Sequence, residues 1–102
     1  MPFDNNWEWE SEPAMLSKTF TIVNPSGFHA RPTKLFVQKA TTFPDCEIFL
    51  IKNQTKKMNG KSSLGILSLG IAHNDEITLE VSGERAEQAM EELGGILTAI
   101  LE

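Results

Sequence analysis

A chain of 102 residues, 40% apolar and 23% charged, is the size of one domain and long enough to bury a core without disulfides or a structural metal. Its single cysteine, Cys46, cannot close an internal disulfide, and no cluster of cysteines offers a metal site, so neither an oxidising compartment nor a metal or cofactor is expected. The N-terminus shows no basic segment followed by an apolar run, and no stretch reaches the roughly 18 apolar residues a membrane span needs, so the expectation is a cytoplasmic protein with no membrane insertion. The formal charge of −5 is uneven. Asp4, Glu8, Glu10 and Glu12 lie in a 14-residue head without Lys or Arg, and taking these four from −5 leaves −1. The remaining 88 residues hold 9 basic and 10 acidic side chains, which argues against the sustained basic face of a nucleic-acid binder.

Residues 1–17 carry both tryptophans, Trp7 and Trp9, with Pro2 and Pro13 and no helical or strand period, and read as an N-terminal extension to a domain spanning 18–102. From Lys18 to Val23 the chain alternates, with Phe20 and Ile22 on one face, and the Asn24-Pro25-Ser26-Gly27 cluster ends this first strand. Thr33, Phe36, Val37, Ala40 and Phe43 then recur at helical spacing, predicting an amphipathic helix from Ala30 to about Thr42 with His29 at its N-cap. Pro32 agrees with that start, because a first-turn proline loses only an N–H that has no intrahelical partner. Glu47 to Ile51 predicts a second strand, Asn53-Gln54 a turn, and Thr55 to Asn59 the returning strand. Ser62 opens a short helix whose apolar residues, Leu64, Ile66, Leu67 and Leu69, point in several directions; Ile66 and Leu69 suit the core, Leu64 and Leu67 an exposed patch. Glu76 to Val81 alternates as a strand with one wet face. Ala86, Ala89, Met90, Leu93, Leu97 and Ile100 keep the helical period to the C-terminus, with a possible kink at Gly94-Gly95. The order β-α-β-β-α-β-α predicts an α+β open-faced sandwich, a four-stranded antiparallel sheet with three helices on one face.

The chemistry concentrates at Gly27-Phe28-His29-Ala30-Arg31-Pro32. A helix start gathers backbone N–H groups and the positive end of the macrodipole, which suits a dianionic phosphoryl group. An imidazole there has a nucleophilic nitrogen, and the guanidinium of Arg31 can fork two phosphate oxygens. By itself His-x-Arg-Pro fits a bare helix cap as well as a nucleophile. The hydroxyl of Ser62 also reads two ways, as the cap of its helix, which the local sequence favours, or as a modification site. His73 stands in a loop without a second ligand and reads as solvated; Cys46 reads as a buried structural thiol.

The longer pattern decides between these. Asn-Pro-Ser-Gly-Phe-His-Ala-Arg-Pro from Asn24 to Pro32, continuing through Lys34-Leu35-Phe36-Val37, together with Gly60-Lys61-Ser62-Ser63-Leu64-Gly65-Ile66-Leu67-Ser68-Leu69-Gly70-Ile71, closely resembles HPr, the histidine-containing phosphocarrier family of the bacterial phosphoenolpyruvate:sugar phosphotransferase system. The resemblance runs from about Leu16 to Glu102, and the second segment is nearer the Gram-positive branch than the enteric one. It implies a carrier rather than an enzyme: a phosphoryl group accepted on His29 from enzyme I, Arg31 as its counter-charge, and delivery to sugar-specific EIIA proteins. It further implies that Leu64 and Leu67, with Lys34, meet those partners, and that Ser62 is phosphorylated by HPr kinase/phosphorylase, creating a mark that the regulator CcpA reads. The hairpin is about two residues longer than in most of the family, and Ser63 stands where a large apolar residue is usual. Two alternatives within the resemblance are a catabolite-repression regulator like Crh, whose members lack the histidine retained here, and a carrier for a nitrogen or dihydroxyacetone side branch.

Overall fold

The computed structural model describes residues 15–100, so the Trp7 and Trp9 pair lies outside the described residues. Seven elements follow in the order β1 (Met15–Thr21), α1 (Ala30–Ala40), β2 (Cys46–Lys52), β3 (Lys56–Asn59), α2 (Ser63–Ser68), β4 (Glu76–Gly83) and α3 (Ala86–Leu97). The strands form one antiparallel sheet in the order β1-β4-β2-β3. Alternation puts Ile77, Leu79 and Val81 of β4 on the inner face, and register sets Ile48 and Leu50 of β2 opposite Val81 and Leu79. All five are buried, as are Phe36 and Ala40 of α1, Ile66 of α2, and Ala89, Leu93 and Leu97 of α3, so the helices and one sheet face share a single core. Burying a side chain of this size contributes roughly 1.5–3 kcal/mol. The opposite face is polar where β1 meets β4: Thr19 lies across from Thr78, their hydroxyls 2.9 Å apart.

The predicted α+β sandwich is the observed one, with shifts at the edges of its elements. β1 begins at Met15, and Met15, Leu16 and Ser17 pair with Ser82, Val81 and Glu80, so these three residues belong to the sheet rather than to the extension. The alternation was hidden because Lys18, at an edge, takes an inward register beside Leu16 and Phe20 and covers the Phe20 ring at 5.4 Å. The β2–β3 turn is where Asn53 and Gln54 place it. Both have positive φ (56° and 60°), and Thr55 N–H donates to the Lys52 carbonyl at 3.2 Å. α3 runs unbroken through Gly94-Gly95 and stops at Leu97, leaving Ile100 exposed beyond it. Gly94 is a packing residue, since a Cβ there would sit 2.6 Å from the Phe20 ring, whereas Gly95 faces open space.

Candidate functional site

The turn before α1 is built from the inside outward. Gly27 N–H donates to the Asn24 carbonyl at 2.9 Å, and the buried Asn24 side chain donates to the Gly27 carbonyl at 2.7 Å. Gly27 has φ of 71°, and a Cβ on it would lie 2.5 Å from the Ile71 carbonyl oxygen and 2.9 Å from Ala72 Cα, so only glycine fits. Phe28 is then drawn into the core. It meets Phe36 edge-on at 5.9 Å, its N–H donates to the Ile71 carbonyl at 3.1 Å, and its carbonyl accepts from the buried Thr33 hydroxyl at 3.2 Å. With Phe28 buried, the next residue faces outward, and His29 is exposed. It is the N-cap of α1 in extended backbone conformation, and its carbonyl accepts the Thr33 N–H at 3.0 Å, but its ring makes no capping bond. Pro32 is buried in the first turn, Arg31 and Lys34 are exposed, and the first turn holds no acidic residue to repel an anion.

The second predicted site residue, Ser62, is the N-cap of α2, and its Oγ accepts the Gly65 N–H at 3.1 Å. Beside it, Lys61 turns inward: its ammonium donates to the carbonyls of Phe43 at 2.9 Å and Cys46 at 2.8 Å, just beyond the C-terminal end of α1. The start of α2 therefore lies by the end of α1. Its exit, through Gly70 to Ile71, lies by the start of α1, where the Ile71 carbonyl holds Phe28. His29 and Ser62 thus cap two different helices, α1 and α2. Leu64 and Leu67 of α2 are 80% and 43% exposed, while Ile66 and Leu69 are buried, dividing the four apolar residues as the sequence predicts. Ser63 is exposed, Cys46 is a buried free thiol, and His73 is exposed. Lys39 is drawn away from the site by Glu92 of α3, 3.3 Å off.

The loop from Gly70 to Asp75 supports the turn and was not legible beforehand. Ile22 N–H donates to the Asp75 carbonyl and Asn74 N–H to the Ile22 carbonyl, at 2.9 and 2.8 Å. The Asp75 carboxylate accepts the Ala72 N–H at 2.8 Å and pairs with Lys52 at 3.2 Å. The Ala72 amide first, and Lys52 second, hold this carboxyl below its ordinary range. Asp45 is lowered too, chiefly by hydrogen bonds from Arg85, which also covers the Phe43 ring at 4.8 Å. Among the described residues no cluster of His, Cys, Asp or Glu could hold a metal ion, and no helix is long and apolar enough to cross a membrane.

Comparison with known proteins fits this geometry. Residues 16–99 match the family described as PTS HPr component phosphorylation site, PTS being the phosphotransferase system. The chain is 38% identical over 84 residues to the phosphocarrier protein HPr of Lysinibacillus sphaericus, covering 82% of this chain and 93% of that one. It is 42% identical over 79 residues to the HPr-like protein Crh of Halalkalibacterium halodurans, covering 78% and 92%. The crystal structure of HPr from Bacillus anthracis superposes with a TM-score of 0.78 at 39% identity, over 83% of this chain and 99% of that one. A family match across the whole folded domain, with the fold of solved HPr structures, makes this chain a member of the HPr family of phosphotransferase-system phosphocarriers.

Proposed function

We propose that His29 accepts a phosphoryl group from phosphorylated enzyme I on Nδ1 and passes it to sugar-specific EIIA proteins, in the cytoplasm, in support of sugar uptake. The observation that carries this is an exposed histidine at a helix start whose ring is not used as a cap. In the transfer, the Nδ1 lone pair forms the N–P bond as the donor's bond to phosphorus breaks. The α1 amides and the Arg31 guanidinium balance the charge that arrives. The exposed Leu64 and Leu67, with Lys34 at their fringe, form the surface on which acidic partners dock. Phosphorylation of Ser62 by HPr kinase/phosphorylase regulates the cycle from the far end of that surface. Its dianion burdens docking by desolvation and like charge, and offers CcpA an anion for an arginine.

Incubation with enzyme I and radiolabelled phosphoenolpyruvate is expected to give an acid-labile, base-stable label on the wild type and none on His29→Ala; a label kept by the variant removes the assignment. Arg31→Glu is expected to slow the transfer. A Crh-like regulator is the second reading, favoured by the 42% identity to such a protein. The absence of label on the wild type would favour it, and delivery to a panel of EIIA proteins separates sugar uptake from a nitrogen or dihydroxyacetone branch.

A further inference from the structure

Lys52 is the last residue of β2, on the inner face opposite Ile77, where a charged side chain is out of place beside Leu50 and Leu79. Its side chain is 18% exposed. The ammonium donates to the Gly70 carbonyl at 2.7 Å and lies 3.2 Å from the Asp75 carboxylate, so it fastens both ends of the loop that follows α2. Between those ends are Ile71, whose carbonyl holds the Phe28 N–H, and Ala72, against whose Cα the Gly27 turn is packed. Phe28 is the residue before His29. The turn thus rests, through the Phe28–Ile71 hydrogen bond and a close backbone contact, on a strap whose two ends the Lys52 ammonium ties together, alongside the backbone bonds from Asn74 and Asp75 to Ile22.

We infer that Lys52 is a positioning residue for His29, acting through the Gly70–Asp75 loop to fix where Phe28, and with it the imidazole, stands at the start of α1. The inference rests on the reading of His29 as the phosphoryl acceptor. Loss of the ammonium leaves the Gly70 carbonyl and the Asp75 carboxylate facing each other without the cation between them, and like-signed dipole and charge move apart. The Ile71 carbonyl lies on the segment that moves. Transfer to an imidazole depends on in-line placement, and displacements of a fraction of an ångström carry large rate penalties. Lys52 lies at the end of a sheet strand rather than on the exposed face of α2, so its removal acts on the transfer step and not on partner affinity.

Lys52→Met keeps the apolar stem and removes the charge; Lys52→Arg keeps the charge and two or more donors. Steady-state transfer from enzyme I to Lys52→Met is expected to show a kcat lower by on the order of tenfold with KM unchanged. Hydrogen exchange of the Phe28 amide, read by NMR without any phosphoryl donor, is expected to accelerate, and Lys52→Arg should restore both. Because a merely structural role would lower the melting temperature without selectively exposing Phe28, the exchange of the Leu79 amide in the central strand serves as the internal control. Asp75→Asn, which keeps an acceptor for Ala72 but removes the charge, provides a second variant and is expected to shift the same amides. Wild-type exchange at Phe28 in both variants, or a change spread equally over Phe28 and Leu79, would overturn the inference. If the wild type takes no label on His29, the functional reading fails, while the exchange result still decides whether Lys52 holds the turn.

Discussion

The starts of α1 and α2 each carry a polar side chain at the N-cap, and they use it in opposite ways. Ser62 is half-buried and spends its hydroxyl on the Gly65 amide, with the neighbouring Lys61 spent on the carbonyls of Phe43, in the α1–β2 connection, and Cys46, at the start of β2. His29 caps α1 through its backbone alone, leaving the ring exposed, while everything around it is held by groups other than the ring: the Asn24 amide, the Thr33 hydroxyl and the Ile71 carbonyl. A capping serine stabilises its helix by about 1 kcal/mol, and α1 forgoes that contribution at its histidine. The difference separates a residue free to react from one that must leave a structural contact before it can be modified.

The sharpest way to break the contrast is to disturb the frame around His29 without touching the ring. Gly27→Ala puts a Cβ at a φ of 71° and within 2.5 Å of the Ile71 carbonyl, backbone that cannot swing aside as a flexible side chain would. Strain and overpacking together are expected to cost about 3 kcal/mol, read by urea denaturation, and to slow phosphoryl transfer under conditions where the variant is still folded. Wild-type stability and rate in Gly27→Ala would mean that the turn does not set the position of the imidazole.

The frame was only partly legible from the sequence, and the reason is distance along the chain. Alternation at Glu76 to Val81 and the helical stripe from Thr33 to Phe43 are local patterns, and the sheet and α1 follow from them. The positions of Gly27 and His29 were also visible, because a turn cluster, an aromatic and a proline stand next to each other. Lys52 and Lys61 carry no local signal of a structural role, yet each reaches a carbonyl oxygen 18 residues away, Gly70 for one and Phe43 for the other. Gly94 read as a helix weakness, and its partner is the Phe20 ring of β1, 74 residues earlier in the chain. No periodicity marks a lysine that turns inward at the end of a strand; only the register that sets Lys52 opposite Ile77 reveals it.

A second test acts on the exposed leucines of α2. Leu64 and Leu67 are exposed while Ile66, between them in sequence, is buried, so changing both leucines to Asp should leave circular dichroism and melting close to wild type. Affinity for enzyme I is expected to fall by about 30-fold, equivalent to ~2 kcal/mol, measured by calorimetry or by the KM of transfer. An unfolded double variant would show that these leucines hold the fold together, and an unchanged KM would move docking elsewhere on the molecule.

The smallest expected effect separates the two duties of Ser62. Ser62→Ala removes the acceptor for the Gly65 N–H and is expected to lower stability by about 1 kcal/mol while leaving transfer to His29 unchanged, since the two residues cap different helices. Ser62→Asp keeps a capping oxygen and adds a negative charge at a helix start, where the local dipole favours it, so its melting temperature should remain near that of the wild type. On the proposed docking over Leu64 and Leu67 its transfer rate should fall, because the new charge must then be brought against an acidic partner. The two variants therefore move in opposite directions: alanine costs stability and not rate, aspartate costs rate and not stability. Capping and charge are the two physical roles available to this position, and the pair assigns one to each measurement. If alanine slows transfer as much as aspartate does, the loss of the cap has disturbed the docking surface itself, and a charge-based regulation through Ser62 is no longer needed to account for the result.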